Sequence, residues 1–94
     1  MRYNETMKLW IRTTSGEKIT HDEVYVTAGK TVTTDELDEI LAEFADKFDL
    51  SSPTVLPSHI DKLNNFNITR FLPSDFVHFV DFDNLTIEVI KEKK

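Results

Sequence analysis

Apolar residues recur at Leu37, Ile40, Leu41, Phe44, Ala45 and Phe48, offsets of three, four, seven, eight and eleven positions. That spacing lines one face of an α-helix, and it predicts a helix over residues 34–48. Thr33 with Glu36 three positions on makes a capping-box pattern, the hydroxyl accepting a free backbone N–H and the glutamate reaching back. Asp35 and Glu36 in the first turn complement the positive end of the helix dipole, whereas Asp46 and Asp49 oppose the other end and Lys47 offsets them in part. The C-terminal end is therefore expected to fray or to lean on a group outside the helix.

Elsewhere the pattern has the period of a strand. Lys8–Thr14 is rich in β-branched and aromatic residues, Ser15-Gly16 is a turn dipeptide, and Glu17–Thr20 returns as the second arm of a hairpin. His21-Asp22 interrupts that arm, and Glu23–Thr27 is a further β segment, so the region reads as one long bulged strand or as two short ones. Asp49–Ser58 contains Pro53 and Pro57 and reads as a loop, with a short extended piece at Thr54–Leu56. Ser58 with Asp61, and Ile60 with Leu63, suit a single helical turn.

The last third reads as a meander. Phe66–Phe71 alternates, Pro73-Ser74-Asp75 turns, Phe76–Phe82 is filled by aromatic and β-branched residues, Asp83-Asn84 turns, and Leu85–Ile90 alternates again. Residues 76–82 are expected as strand, with a short helix capped by Ser74 as the alternative. The predicted architecture is α+β: an antiparallel sheet of about five strands, an N-terminal hairpin plus a C-terminal meander. The 34–48 helix packs across one sheet face through Leu37, Ile40, Leu41, Phe44 and Phe48.

Composition narrows the setting. Ninety-four residues make one domain, 1–94, with 1–6 and 91–94 expected as flexible ends, and 39% hydrophobic content with seven Phe implies a packed core. The chain has no Cys, so neither disulfides nor thiolate metal sites help it, and a cytoplasmic setting is expected. No apolar run approaches the ~20 residues of a membrane span, and Met1–Thr6 lacks the apolar stretch of a signal peptide. A membrane partner is not expected.

Charge is concentrated on one element. Of 17 acids and 11 bases, seven acids and one base lie within residues 34–50, and the ten of each sign that remain cancel. A surface of that sign repels phosphate, so direct nucleic-acid binding is not expected. Asp35, Asp38, Glu39, Glu43 and Asp46 form the exposed side of the predicted helix. The commonest reason for such a face is solubility; the functional alternative is a docking surface for a basic or nucleic-acid-binding protein.

Candidate chemistry is sparse. His21, His59 and His78 are far apart, and the pairs His21-Asp22 and His59/Asp61 are read as turn residues rather than metal ligands. Asp81-Phe82-Asp83-Asn84 opens like a Ca²⁺ loop but has Thr86 where the sixth-position glycine belongs. With glycine only at Gly16 and Gly29, no phosphate-cradling loop can be built. No catalytic residue, cofactor or metal is assigned, and the chain is not expected to be an enzyme.

The aromatic residues Trp10, Tyr25, Phe71, Phe76, Phe79 and Phe82 exceed the needs of one sheet face under one helix. Trp10, Tyr25, Phe76, Phe79 and Phe82 are expected to share an uncovered face that binds a partner or a second copy, the alternative being that all the rings sit under the helix and loop. The functional expectation is a non-enzymatic protein–protein interaction module, by analogy with small phage-type accessory factors or inhibitors of a host protein. One alternative is a phosphate mimic that fills the basic groove of a nucleic-acid enzyme with its acidic helix. Another is a structural subunit of a homo-oligomeric assembly, a homodimer in the simplest case.

Overall fold

Alternation in the first strand sets both faces of the sheet. In the computed structural model, which describes residues 7–27, 29 and 31–90, β1 (Lys8–Ser15) buries Leu9, Ile11 and Thr13 and turns Trp10, Arg12 and Thr14 the other way. The expected flexible ends, 1–6 and 91–94, lie outside the described residues. A two-residue turn at Gly16-Glu17 joins β1 to β2 (Lys18–Val26). Gly16 has φ +62° at the first turn position, the II′ conformation that leads two right-twisted strands back on each other.

β2 is one strand and not two. Its register steps from Thr13↔His21 to Thr14↔Ile19, so Thr20 is the extra residue of a bulge. The Thr20 hydroxyl lies 2.6 Å from that of Thr13, which gives the displaced residue a partner. His21-Asp22 therefore continues the strand instead of interrupting it.

The amphipathic helix forms as α1 (Thr34–Phe48), with Leu37, Ile40, Leu41, Phe44 and Ala45 buried. The Thr33 hydroxyl accepts from the Glu36 N–H at 3.2 Å, as the capping pattern predicts. The far end is braced rather than frayed. Asp49 adopts a left-handed conformation, φ 58°, and the Leu50 N–H reaches the Ala45 carbonyl at 2.7 Å. Lys47 Nζ also reaches Glu23 Oε1 on β2 at 2.9 Å.

The main departure lies between residues 57 and 83. A second helix, α2 (Pro57–Phe66), replaces the expected loop and single turn. Pro57 occupies its first position, where the missing N–H costs nothing. His59 takes the role of a capping residue, its Nδ1 accepting from the Leu56 N–H at 2.9 Å. Asn67, at φ 66°, ends the helix. Asn64 ties α2 to the segment before α1 through two 3.1 Å bonds with the Val32 backbone.

β3 (Ile68–Phe71) follows at once and is shorter than the expected Phe66–Phe71 strand, because Phe66 belongs to α2. A single 3-10 turn at Pro73–Asp75 comes next. Residues 76–83 form a loop, neither the expected strand nor the alternative helix. Phe76 makes one isolated bridge to Pro53, and Val77, His78 and Phe79 are exposed in succession, so no period of two survives. Asp83-Asn84 is not a hairpin turn either. Asp83 instead accepts from the Gly16 N–H at 2.7 Å and pins the tip of the β1–β2 hairpin before β4 (Asn84–Ile90) begins.

The fold is α+β, and the described residues form a four-stranded antiparallel sheet in the order β2-β1-β4-β3, one strand fewer than the expected five or so. One face carries the core: Leu9, Ile11, Leu85, Ile87 and Phe71 meet Leu37, Leu41, Phe44 and Leu63, with Phe76 and Phe82 closing one end. Thr69 sits among them, 3% exposed, its hydroxyl without a partner among the described residues. An unpaired buried hydroxyl costs more than it gains. Thr69→Val is therefore expected to raise stability by about 1 kcal/mol, read as a higher midpoint in chemical denaturation.

Candidate functional site

Both helices pack on the same face of the sheet. α1 lies over β2, where Phe44 meets Tyr25 edge-on at 6.5 Å and Phe48 lies 4.7 Å from His21. On α2, His59 stacks on Phe71 of β3 at 4.0 Å. Strand alternation then sends the remaining side chains to the opposite face, which neither helix covers.

Cross-strand register arranges that bare face in rows. One row runs Val24, Trp10, Glu88 and Ile68 across the four strands, and the next runs Asp22, Arg12, Thr86 and Arg70. Val26, Lys8 and Ile90 form a third, beyond Trp10. Val24, Val26, Ile68 and Ile90 are all exposed.

Polar contacts fix the centre of this surface. Trp10 Nε1 donates to Asp22 Oδ2 at 3.0 Å, and the Arg12 guanidinium lies over the Trp10 ring at 4.1 Å. Arg12 Nη1 also donates to Glu88 Oε1 at 3.1 Å. The indole is thus held in place and partly sheltered by a cation over its ring and a carboxylate at its N–H. The arrangement is a preordered, mixed apolar and charged platform.

The five aromatic residues expected on one face are distributed over three environments. Trp10 alone lies on the bare face. Tyr25 points to the covered side against Phe44, because it is one residue out of phase with Val24 and Val26. Phe76 and Phe82 are buried against each other at 5.4 Å. Phe79 is 89% exposed on the loop.

The acidic residues hold together as expected from the sequence. Asp35, Asp38, Glu39, Glu43 and Asp46 are all exposed on α1, on the side away from the sheet. Burial, and then the Glu43 and Glu23 carboxylates, push the Tyr25 phenol above its ordinary pKa beneath this helix. The molecule therefore has an acidic helical side and a bare sheet side facing opposite ways.

The three histidines do not converge. His21 is on the covered face while its neighbour Asp22 is on the bare one, as alternation requires. His59 is buried, and its nearest carboxylate is Asp75, with Nε2 to Oδ2 at 3.9 Å, rather than Asp61. His78 is exposed on the loop. Among the described residues no group of three or more His, Cys, Asp or Glu stands close enough to hold a metal ion. A shallow cleft of about 250 Å³ lies between the end of α1 and the 76–83 loop, lined by Asp49, Leu50, Ser51, Phe79, Val80 and Asp81. No helix among the described residues is long and apolar enough to cross a membrane.

No family model, curated protein or solved structure matches the chain. Its surfaces must then be read from their own chemistry. The sequence alone singled out Trp10 but not Val24, Val26, Ile68, Ile90 or Arg70. The signal for the first two is the run Val24-Tyr25-Val26, apolar in both phases of the strand, which marks a strand with two apolar faces.

Proposed function

We propose that this chain is a non-enzymatic protein-binding module that docks through the bare face of its sheet. One observation carries the reading: among the described residues both helices lie on one side, leaving Val24, Val26, Ile68 and Ile90 exposed and Trp10 half-buried on the other. Exposed apolar side chains interleaved with paired charges make a surface that a partner can cover, and Trp and Arg, which meet at its centre, are among the residues most enriched at the energetic centres of interfaces. Small size and the absence of cysteine suit an accessory or inhibitory subunit in a reducing, cytoplasmic setting.

A second reading rests on α1. Its five exposed carboxylates and the engagement of Lys47 by Glu23 leave a dense negative side suited to a basic groove. One experiment separates the two. Affinity capture on the tagged protein, at low and high salt, is compared for wild type, Val24→Asp, and the triple variant Asp38→Lys, Glu39→Lys, Glu43→Lys. Docking by the sheet predicts salt-resistant capture lost in Val24→Asp and kept in the triple variant. Capture that fades with salt and is lost only in the triple variant transfers the function to α1.

A further inference from the structure

We propose that two copies of this chain pack their bare sheet faces together about a two-fold axis parallel to the strands, β2 of one copy over β3 of the other. The inference rests on the bare face being a docking surface, and it names the partner from the order of residues on that face.

Two sheets that meet face to face under two-fold symmetry have the axis in the plane between them. Two orientations follow. An axis parallel to the strands reverses the strand order and keeps each row at its own level. In the order β2-β1-β4-β3, β2 then lies over β3 of the second copy, and β1 lies over β4. Row by row, Val24 comes over Ile68 and Asp22 over Arg70, with the same pairs repeated on the other side of the axis. In these two edge pairs apolar meets apolar and acid meets base, while between them Arg12 comes over Thr86 and Lys8 over Ile90. Asp22 and Arg70 are both exposed, so each is available to the second copy. Glu88 comes under Trp10 but stays bonded to Arg12, so its charge is covered as a pair.

The other orientation lacks this match. An axis across the strands stacks every strand on its own copy. Placed in the Asp22 row, it sets Asp22 against Asp22 and Arg70 against Arg70. Moved half a row toward Trp10, it sets Val24 against Asp22 and Ile68 against Arg70. Placed in the Trp10 row, it stacks Val24 on Val24 and Ile68 on Ile68 but sets Glu88 against Glu88 and Arg12 against Lys8, so like charges or stranded apolar groups result in every case. The charge order of the face thus selects one symmetry. Aligned sheets cross at roughly 30°, which offsets the edge rows by a few ångström, within the reach of an arginine side chain.

The footprint sets the strength. Four strands at about 4.8 Å spacing make a face near the small end of specific interfaces, so a dimer dissociating at roughly micromolar concentration is expected. It would cover Trp10 and leave one acidic α1 side on each outer surface.

Sedimentation velocity over a concentration series tests the pairing. Wild type should pass from monomer to dimer. Asp22→Arg and Arg70→Asp should each weaken the dimer by more than about tenfold, since each places two like pairs across the axis. The double variant Asp22→Arg/Arg70→Asp should return to within about threefold of wild type. Both residues are exposed, and circular dichroism confirms that each variant folds. A wild type that stays monomeric to roughly millimolar concentration, or a double variant no better than the singles, overturns the dimer. If salt-resistant capture is still lost in Val24→Asp under those outcomes, the bare face remains a docking surface for another protein. If capture ignores Val24, the docking reading itself falls.

Discussion

Phe71→Ala is expected to remove about 3–5 kcal/mol of stability, a large part of what a domain of this size possesses. Phe71 is fully buried at the end of the edge strand β3. Its ring carries the stacked His59 of α2 on one side and belongs to the same cluster as Leu63, Leu85 and Phe76. Truncation leaves a cavity where α2, β3 and the 3-10 turn meet, and the backbone on three sides is tied by hydrogen bonds, so collapse into it is limited. Phe79→Ala, eight residues on, is the control. That side chain is exposed, and its loss should change stability by less than about 0.5 kcal/mol. Urea denaturation of both variants reads the contrast. Equal effects would mean that Phe71 is not the core residue described.

His59→Ala is expected to cost about 2–3 kcal/mol, through the lost cap of α2 and the lost stack on Phe71. The same side chain gives the fold a pH dependence. Burial, partly opposed by the nearby Asp75 carboxylate and reinforced by Lys62, holds the His59 pKa below the ordinary value of 6.5. Its Nδ1 accepts the Leu56 N–H, so the neutral ring that fits the fold carries its proton on Nε2. Above pH 6.5 both folded and unfolded chains hold a neutral ring, and no penalty exists. As the pH falls below that, the unfolded chain binds the proton first, so stability declines until the folded-state pKa is passed. His59→Gln keeps an acceptor at the capping position and cannot titrate. Its stability should therefore fall less between pH 6.5 and mildly acidic conditions than that of wild type. Parallel pH profiles would assign the acid sensitivity elsewhere.

How far the fold can be read in the sequence depends on how each element is held. α1 is legible because a long apolar face, its Thr33 cap and its acidic first turn all agree. β1 and β4 are legible because they alternate. α2 is hidden because its buried residues are His59 and Leu63, with Ile60 half-covered, while Phe66 stays exposed. Its ends are fixed by Pro57, which reads as a breaker until its position in the first turn is known, and by Asn67, which the alternation places inside a strand. The segment 76–82 misleads in the opposite direction. Its residues have strand propensity, yet Phe76 and Phe82 act as two anchors of a loop, and propensity yields to packing.

The candidate surfaces divide along the same line. The acidic side of α1 follows from helical period and charge alone. The bare face does not, because alternation in β1 separates Leu9 and Ile11 from Trp10 and Arg12 without saying which set meets the helices. Both helices take the Leu9 and Ile11 side, and one of them is the element the pattern conceals.

The position of β4 beside β1 also governs the order in which the molecule can form. Lys8 pairs with Ile90, and Arg12 bonds Glu88 across 76 positions of chain. The central ladder of the sheet therefore closes the longest loop in the domain, and its entropy must be met before the ladder returns any energy. A nascent chain that has emerged only through α2 has its N-terminal hairpin with one edge of β1 unpaired. Leu9 and Ile11 are then still without Ile87 and Leu85. Folding waits for the last strand, and it should follow synthesis as one slow cooperative step rather than proceed alongside it.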